Sequence, residues 1–227
     1  MSALQGIRAC VFDAYGTLFD VASAAARCAA VPDHARAALN TLWRDKQLDY
    51  TRLRTLQGRY ADFWQVTSEA LDFALDTLGL ADAALHARLM DLYLHLETFP
   101  EVTAVLRRLR AAGLRTAILS NGTPAMLHAA INSAGLGGLF DIVLSADAVG
   151  LYKTHPRVYA YALEQLGMQP YEIAFQSSNG WDAFAASDFG LRVVWCNRYG
   201  QRRERLPGSP DVEVRSLSEL PPLLGLG

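Results

Sequence analysis

Asp13 stands where an apolar run stops. Ala9-Cys10-Val11-Phe12 precede it, and Ala14-Tyr15-Gly16-Thr17 follow. That order predicts a carboxylate at the C-terminal end of a buried strand, with the chain then turning through Gly16 and Thr17. In α/β sheets this is the edge where ligands bind. A carboxylate placed there can attack a substrate and form a covalent ester. A second carboxylate two residues on would be placed to protonate a leaving oxygen, but the chain has Tyr15. Attack without a strong acid nearby suits a leaving group that departs as a stable anion, as a halide does and an alkoxide does not. Asp ahead of Gly is also a common turn or helix-capping residue. Asp13 therefore gains meaning from the other segments that can converge on it.

Four segments qualify. In Ile118-Leu119-Ser120-Asn121-Gly122-Thr123-Pro124 a strand gives way to a helix. The backbone N–H groups of that turn, with the Ser120 hydroxyl and Asn121 amide, can receive an anion, although such turns also use Asn and Gly for geometry alone. Lys153, ahead of a helix opened by Pro156, can point to the same edge and favour an ionised Asp13; a loop lysine equally suits a solvated surface. The turn Gln176-Ser177-Ser178-Asn179-Gly180-Trp181-Asp182 carries one acid, Asp182. Paired carboxylates for a divalent cation are missing from it, and Asp182 can be read as an acid favoured by a helix N-terminus. Arg44 lies among apolar residues at helical spacing, a setting that also suits a side chain snorkelling to solvent.

The elements that must position these residues alternate. After the strand at 7–13 come some eighty residues of helical periodicity. One helix spans 35–56, with apolar positions at Ala38, Leu42, Trp43, Leu53 and Leu56. A second runs from Tyr60 to Leu78 and stops at Gly79, and a third follows Asp82. Beyond Pro100 the expected order is helix 101–112, strand 116–119, helix 124–134, strand 141–144, helix 156–166, strand 173–175, helix 181–189 and strand 192–196. The Leu/Pro/Gly-rich tail after Ser218 reads as a short helix that frays. Alternation of this kind implies right-handed crossovers and a mainly parallel sheet. The expected fold is α/β, a Rossmann-like core of residues 1–18 and 100–227 interrupted by a helical cap subdomain, 19–99.

Of the 227 residues 51% are hydrophobic, enough for a sizeable core. A net charge of −2 gives no electrostatic case for nucleic acid. Arg202, Arg203 and Arg205 sit beside Pro207 and Gly208 and read as a solvated loop. No apolar run approaches the about 20 residues of a membrane span, and no signal peptide is evident. Cys10, Cys28 and Cys196 read as reduced thiols of a cytoplasmic protein. The five histidines lack metal-ligand spacing, and no Gly-x-Ser-x-Gly elbow occurs.

The segment Asp13-Ala14-Tyr15-Gly16-Thr17-Leu18 resembles the opening of the haloacid dehalogenase superfamily, and more narrowly that of the L-2-haloacid dehalogenases. The resemblance continues in order to about residue 220. It implies hydrolysis of short L-2-haloalkanoates to D-2-hydroxy acids through an ester on Asp13, without cofactor or metal. By resemblance the catalytic set is Asp13, Thr17, Arg44, Ser120, Lys153, Tyr159, Ser177, Asn179 and Asp182. Ser120 and its turn would grip the substrate carboxylate, Arg44 and Asn121 would face the departing halide, and Asp182 would pair with Lys153. Ser177 and Asn179 would position the water or the ester carbonyl. Tyr15, Leu48, Phe63 and Trp181 would wall the pocket. Related enzymes carry Pro directly after the lysine; here Thr154 follows Lys153, so the loop is expected to differ in shape. The partners implied are a 2-haloacid, its halide and a second copy of the chain. Two rival readings are an Mg2+-dependent phosphohydrolase of the same superfamily and a non-catalytic protein that binds small carboxylates.

Overall fold

The structure is a computed structural model that describes residues 4–226, so the outermost ends of the expected core, 1–3 and 227, lie outside the described residues. β1 (Ala9–Phe12) pairs in parallel with β4 (Arg115–Ser120) on one side and β6 (Ile173–Ser177) on the other. β5 (Ile142–Ser145) extends the sheet beyond β4, and β7 (Arg192–Cys196) and β8 (Val212–Val214) extend it beyond β6. The order is β5-β4-β1-β6-β7-β8, all parallel. The chain builds outward from β1 through β4 and β5, then crosses back to β6. The C-terminal ends of β1, β4 and β6 therefore meet where the winding reverses, the place such sheets reserve for ligands.

Alternation along the strands explains the layers. Cys10 and Phe12 face one apolar core together with Ile118, Ala174 and Val194. Ala9 and Val11 face the other with Leu119, Phe175 and Val193. A strand buried on both faces must be apolar at successive positions, which is why 9–12 carries no polar residue. Two helices, α7 (Pro156–Leu166) and α8 (Gly180–Asp188), contribute buried residues to the second core. α5 (Val102–Ala111) and α6 (Pro124–Ser133) contribute to the first. α6 begins as its sequence dictates: Thr123 Oγ1 accepts from Met126 N–H, and Pro124 fills the first helical position.

Between β1 and α5 lie α1 (Ser23–Arg27), α2 (Asp33–Gln57), α3 (Phe63–Thr77) and α4 (Ala83–Leu94). Asp62 and Asp82 cap α3 and α4 through their side chains. The helical insert was expected, but a ribbon at its base was not. β2 (Phe19–Asp20) pairs antiparallel with β3 (Glu97–Thr98), so the chain enters and leaves the insert side by side. Two-residue strands are too short to show periodicity.

Two expectations are corrected. The buried stripe of α2 is Ala35, Leu39, Trp43, Gln47 and Thr51, spaced by four. Ala38, Leu53 and Leu56 are exposed, Leu56 to 84%. The apolar letters misled because two inward positions, Gln47 and Thr51, are polar and satisfied by hydrogen bonds within the insert. Through Leu226 the tail is docked rather than frayed. A turn at Leu217–Glu219 leads into α9 (Leu220–Leu223), Leu217 and Leu220 are buried, and Arg108 donates to the Leu226 carbonyl. The arginine-rich loop at 201–209 is exposed, as expected.

Candidate active site

Asp13 N–H donates to the Gln176 carbonyl, which carries the β1–β6 ladder one residue past the strand and fixes the carboxylate at the sheet edge. Gly16 then takes φ +89°, a conformation that a side chain would oppose. The resulting loop folds back so that Leu18 and Phe19 N–H both reach the Ala14 carbonyl. This brings Thr17 Oγ1 to 2.9 Å from Asp13 Oδ2. Ser178 N–H donates to the same Thr17 oxygen at 2.7 Å, which commits the hydroxyl hydrogen to Asp13.

Asp13 receives two further donors. Asn179 Nδ2 lies 2.8 Å from Oδ2 and Lys153 Nζ 3.1 Å from Oδ1. Lys153 also lies 2.9 Å from Asp182 Oδ2 and 5.0 Å from the centre of the Phe175 ring. Tyr159 O–H donates to Asp182 Oδ1 at 2.7 Å. Asp13, Lys153 and Asp182 are all buried. Burial by itself would lower the lysine, but Asp13 and Asp182 hold its ammonium above the ordinary lysine value. Burial raises Asp182, opposed by Lys153. Burial and Asp182 together push Tyr159 far up, so its hydroxyl stays a donor.

The turn after β4 supplies the facing wall. Gly122 N–H donates to Ser120 Oγ. Lys153 N–H donates to Asn121 Oδ1 at 2.9 Å, which turns the Asn121 amide N–H groups away from that bond. Tyr15 is packed among Tyr93, Phe63 and Phe19, with ring centres at 5.4, 5.7 and 6.4 Å. Among the described residues its buried hydroxyl has no hydrogen-bond partner, and burial pushes it far above the ordinary tyrosine value. Arg44 reaches in from α2. Its Nη1 donates to Gln47 at 2.7 Å, and Nη2 lies 3.4 Å from Asn179 Oδ1 and 3.5 Å from the Tyr15 carbonyl.

The structure thus gathers Asp13, Tyr15, Thr17, Arg44, Phe63, Ser120, Asn121, Lys153, Tyr159, Ser177, Asn179 and Asp182. Ser177 enters through Asn179, whose N–H it accepts at 3.2 Å. Leu48 and Trp181 are less directly joined; among the described residues neither makes a polar or ring contact with Asp13. Leu48 is half-buried one turn beyond Arg44. Trp181 lies beneath Arg52, 5.5 Å from its guanidinium, and lines a cavity of about 220 Å3 with Tyr159, Phe189 and Leu206. Sequence reasoning missed Gln47, which Arg44 contacts, and Thr67 and Tyr93, which hold Gln47. The available signal was a polar residue recurring in the four-residue stripe of α2.

A divalent cation would need several oxygen ligands at this edge. Asp13 already accepts three donors, and a lysine ammonium stands between the two carboxylates. Among the described residues no group of three or more His, Cys, Asp or Glu can hold a metal ion. The residues present do not fit Mg2+.

Comparison with known proteins agrees with the geometry. Fold and site define the class, a haloacid dehalogenase-like hydrolase, and the sequence model of that family matches residues 7–190. Within it the chain belongs to the (S)-2-haloacid dehalogenases. It is 46% identical over 222 residues to (S)-2-haloacid dehalogenase 1 of Pseudomonas sp. strain CBS-3, covering 97% of this chain and 98% of the relative. It is 47% identical over 222 residues to (S)-2-haloacid dehalogenase 4A of Burkholderia cepacia, covering 97% and 96%. The L-2-haloacid dehalogenase of Xanthobacter autotrophicus, solved with chloropropionic acid covalently bound, superposes with a TM-score of 0.90 at 41% identity, over 96% of this chain and 98% of that one.

Proposed function

We propose that the protein hydrolyses short L-2-haloalkanoic acids to D-2-hydroxyalkanoic acids and halide, with Asp13 as nucleophile. The observation that carries the reading is the buried Asp13 carboxylate held by Lys153, Thr17 and Asn179, with an aromatic ring where a proton donor would stand. An Asp13 oxygen attacks C2 from the side opposite the halogen. The new C–O bond forms as the carbon–halogen bond breaks, and the electron pair leaves with the halide toward Arg44 and Asn121. Water then adds to the ester carbonyl of Asp13. The C2–O bond is kept, so the hydroxy acid leaves with an oxygen from Asp13 and the water oxygen stays in the carboxylate. One proton is released per turnover. Ser120 and the following turn bind the substrate carboxylate, Ser177 and Asn179 orient the ester, and Asp182 and Tyr159 hold Lys153.

Withdrawal from water strengthens each of these interactions. The proposed division, 1–18 with 100–227 as core and 19–99 as cap, lets a cap helix supply Arg44 to a site whose carboxylates belong to the core. Exposed Leu53, Leu56 and Phe73 on α2 and α3 support a homodimer, and three unpaired cysteines support a reducing, cytoplasmic setting. The test is chloride release from L- and D-2-chloropropionate with and without EDTA. Release from the L isomer alone, indifferent to EDTA, is expected. Phosphate release from phosphoesters with Mg2+, and no chloride, would establish the phosphohydrolase instead; neither product would leave a carboxylate binder.

A further inference from the structure

Arg44 is a cation that the insert offers to the site, yet among the described residues none of its hydrogen bonds goes to a carboxylate. Its shortest goes to a neutral amide, Gln47 Oε1, at 2.7 Å. Its contacts to Asn179 and Tyr15 are long, 3.4 and 3.5 Å. Gln47 is 1% exposed on the inward stripe of α2.

The direction of the Gln47 amide is fixed from behind. Thr67 Oγ1 donates its single hydrogen to the Phe63 carbonyl at 2.5 Å. Toward Gln47 that oxygen can only accept, so the group facing it at 2.7 Å is Nε2. Nε2 also donates to the Tyr93 hydroxyl oxygen at 3.1 Å, and that hydroxyl donates back to Oε1 at 3.4 Å. With both N–H groups engaged there, Oε1 faces Arg44. Tyr93 is itself packed between Tyr15 and Trp43, and Trp43 Nε1 donates to the Thr67 carbonyl. The void beside Arg44, Gln47 and Tyr93 is about 10 Å3, at the lower limit for one water.

We propose that Gln47 is a positioning residue for anion capture: it aligns the Arg44 guanidinium while leaving its positive charge unneutralised. A carboxylate at this position would still accept from Arg44, but it would cancel the charge that a departing halide needs. An apolar residue would leave the guanidinium unaligned. The inference rests on the reading of Arg44 as the halide acceptor.

The experiment compares Gln47→Glu, Gln47→Leu and Arg44→Met with wild type in two readouts, product inhibition by bromide and kcat on chloro- against bromo-substrate. Gln47→Glu should melt below wild type, because its second oxygen meets the accepting Thr67 Oγ1 where Nε2 donated. It should weaken bromide inhibition by about tenfold to a hundredfold, the size of one charge-assisted hydrogen bond. It should also lower kcat more for the chloro-substrate, whose leaving group needs more help. Gln47→Leu should change both readouts in the same direction and lose stability as well. If Gln47→Glu keeps wild-type inhibition and substrate ratio while Arg44→Met loses both, neutrality at 47 is irrelevant and the inference falls alone. If Arg44→Met behaves as wild type in both readouts, the reading of Arg44 falls, and the inference with it.

Discussion

The ammonium of Lys153 lies 3.1 Å from Oδ1 of Asp13, and both side chains are almost wholly withdrawn from water. Because Asp13 and Asp182 outweigh burial, the lysine loses its proton less readily folded than unfolded. The sign of the stability effect follows. The contribution is fully present below the unfolded lysine value of about 10.4 and is lost as pH rises through the higher folded value. Removing the ammonium leaves Asp182 buried without its counter-charge, a change that costs about 3–5 kcal/mol. Lys153→Met should therefore unfold at much lower denaturant than wild type at pH 8, and the gap should narrow only above about pH 10.4. A gap that narrows between pH 8 and 10 would contradict the pairing.

Asp13→Asn should abolish turnover and leave a folded protein. An amide can still accept from Thr17 and Asn179 through its oxygen, and Lys153 keeps Asp182. Chloride release should fall by about 10^4 or more, as loss of a nucleophile does. In wild type, a single turnover in 18O-water should place the label in the Asp13 carboxylate before any appears in product. Label entering the hydroxy acid directly would mean that water attacks C2 and that Asp13 acts as a base.

The order of β1, β4, β5, β6 and β7 was legible because each contains three or more successive apolar residues and most helices begin or end at Pro, Asp or Gly; β8, interrupted by Glu213, was not expected. The proposed nucleophile was legible for the same reason: Asp13 is the first charged residue after such a run. The partners that fix it were legible only in part. Thr17 holds Asp13 because Gly16 turns the chain, a relation between near neighbours. Gln47 serves Arg44 through Thr67 and Tyr93, residues on two other helices. Nothing in the spacing of 47, 67 and 93 announces that contact. The inward face of α2 was misread because burial of a polar residue depends on hydrogen bonds from elsewhere in the fold, whereas Leu53 and Leu56 are apolar and exposed.

Gly122 is required by Tyr15. A Cβ at residue 122 would lie 2.7 Å from Tyr15 Cε2 and 3.0 Å from its hydroxyl. The ring has little room to retreat, since Tyr93 stacks on it and Phe63 packs against it at a tilt. Gly122→Ala should lose about 1–3 kcal/mol of stability, the range for overpacking, and lower kcat/KM by displacing the ring beside Asp13. Combining it with Tyr15→Leu, which removes the colliding carbon, should restore part of the melting temperature lost by Gly122→Ala. Strictly additive losses in the pair would show that the two residues do not compete for the same space.

Arg198 joins both ends of the helical insert. It donates to the Thr17 carbonyl at 2.9 Å and to Glu101 Oε1 at 2.5 Å, and its guanidinium lies 3.8 Å from the centre of the Phe99 ring. Thr17 precedes β2, while Phe99 and Glu101 follow β3. One buried cation thus ties the entry strand to the exit and steadies the residue that holds Asp13. Burial works against an ionised Glu101, but backbone N–H groups and Arg198 hold its carboxyl below the ordinary glutamate value. A depressed folded value gives stability that is present above the unfolded value of about 4.3 and lost as pH falls through the folded one. Arg198→Met should cost about 1.5–3 kcal/mol at pH 7, the range for hydrogen bonds to charged groups, with the deficit shrinking below about pH 4. Its kcat should fall as Thr17 loses its fixed position. Arg198→Lys, a point charge that cannot span both partners, should recover part of the stability and less of the rate. Full recovery of both by lysine would show that charge alone is needed and that the two-sided grip is not.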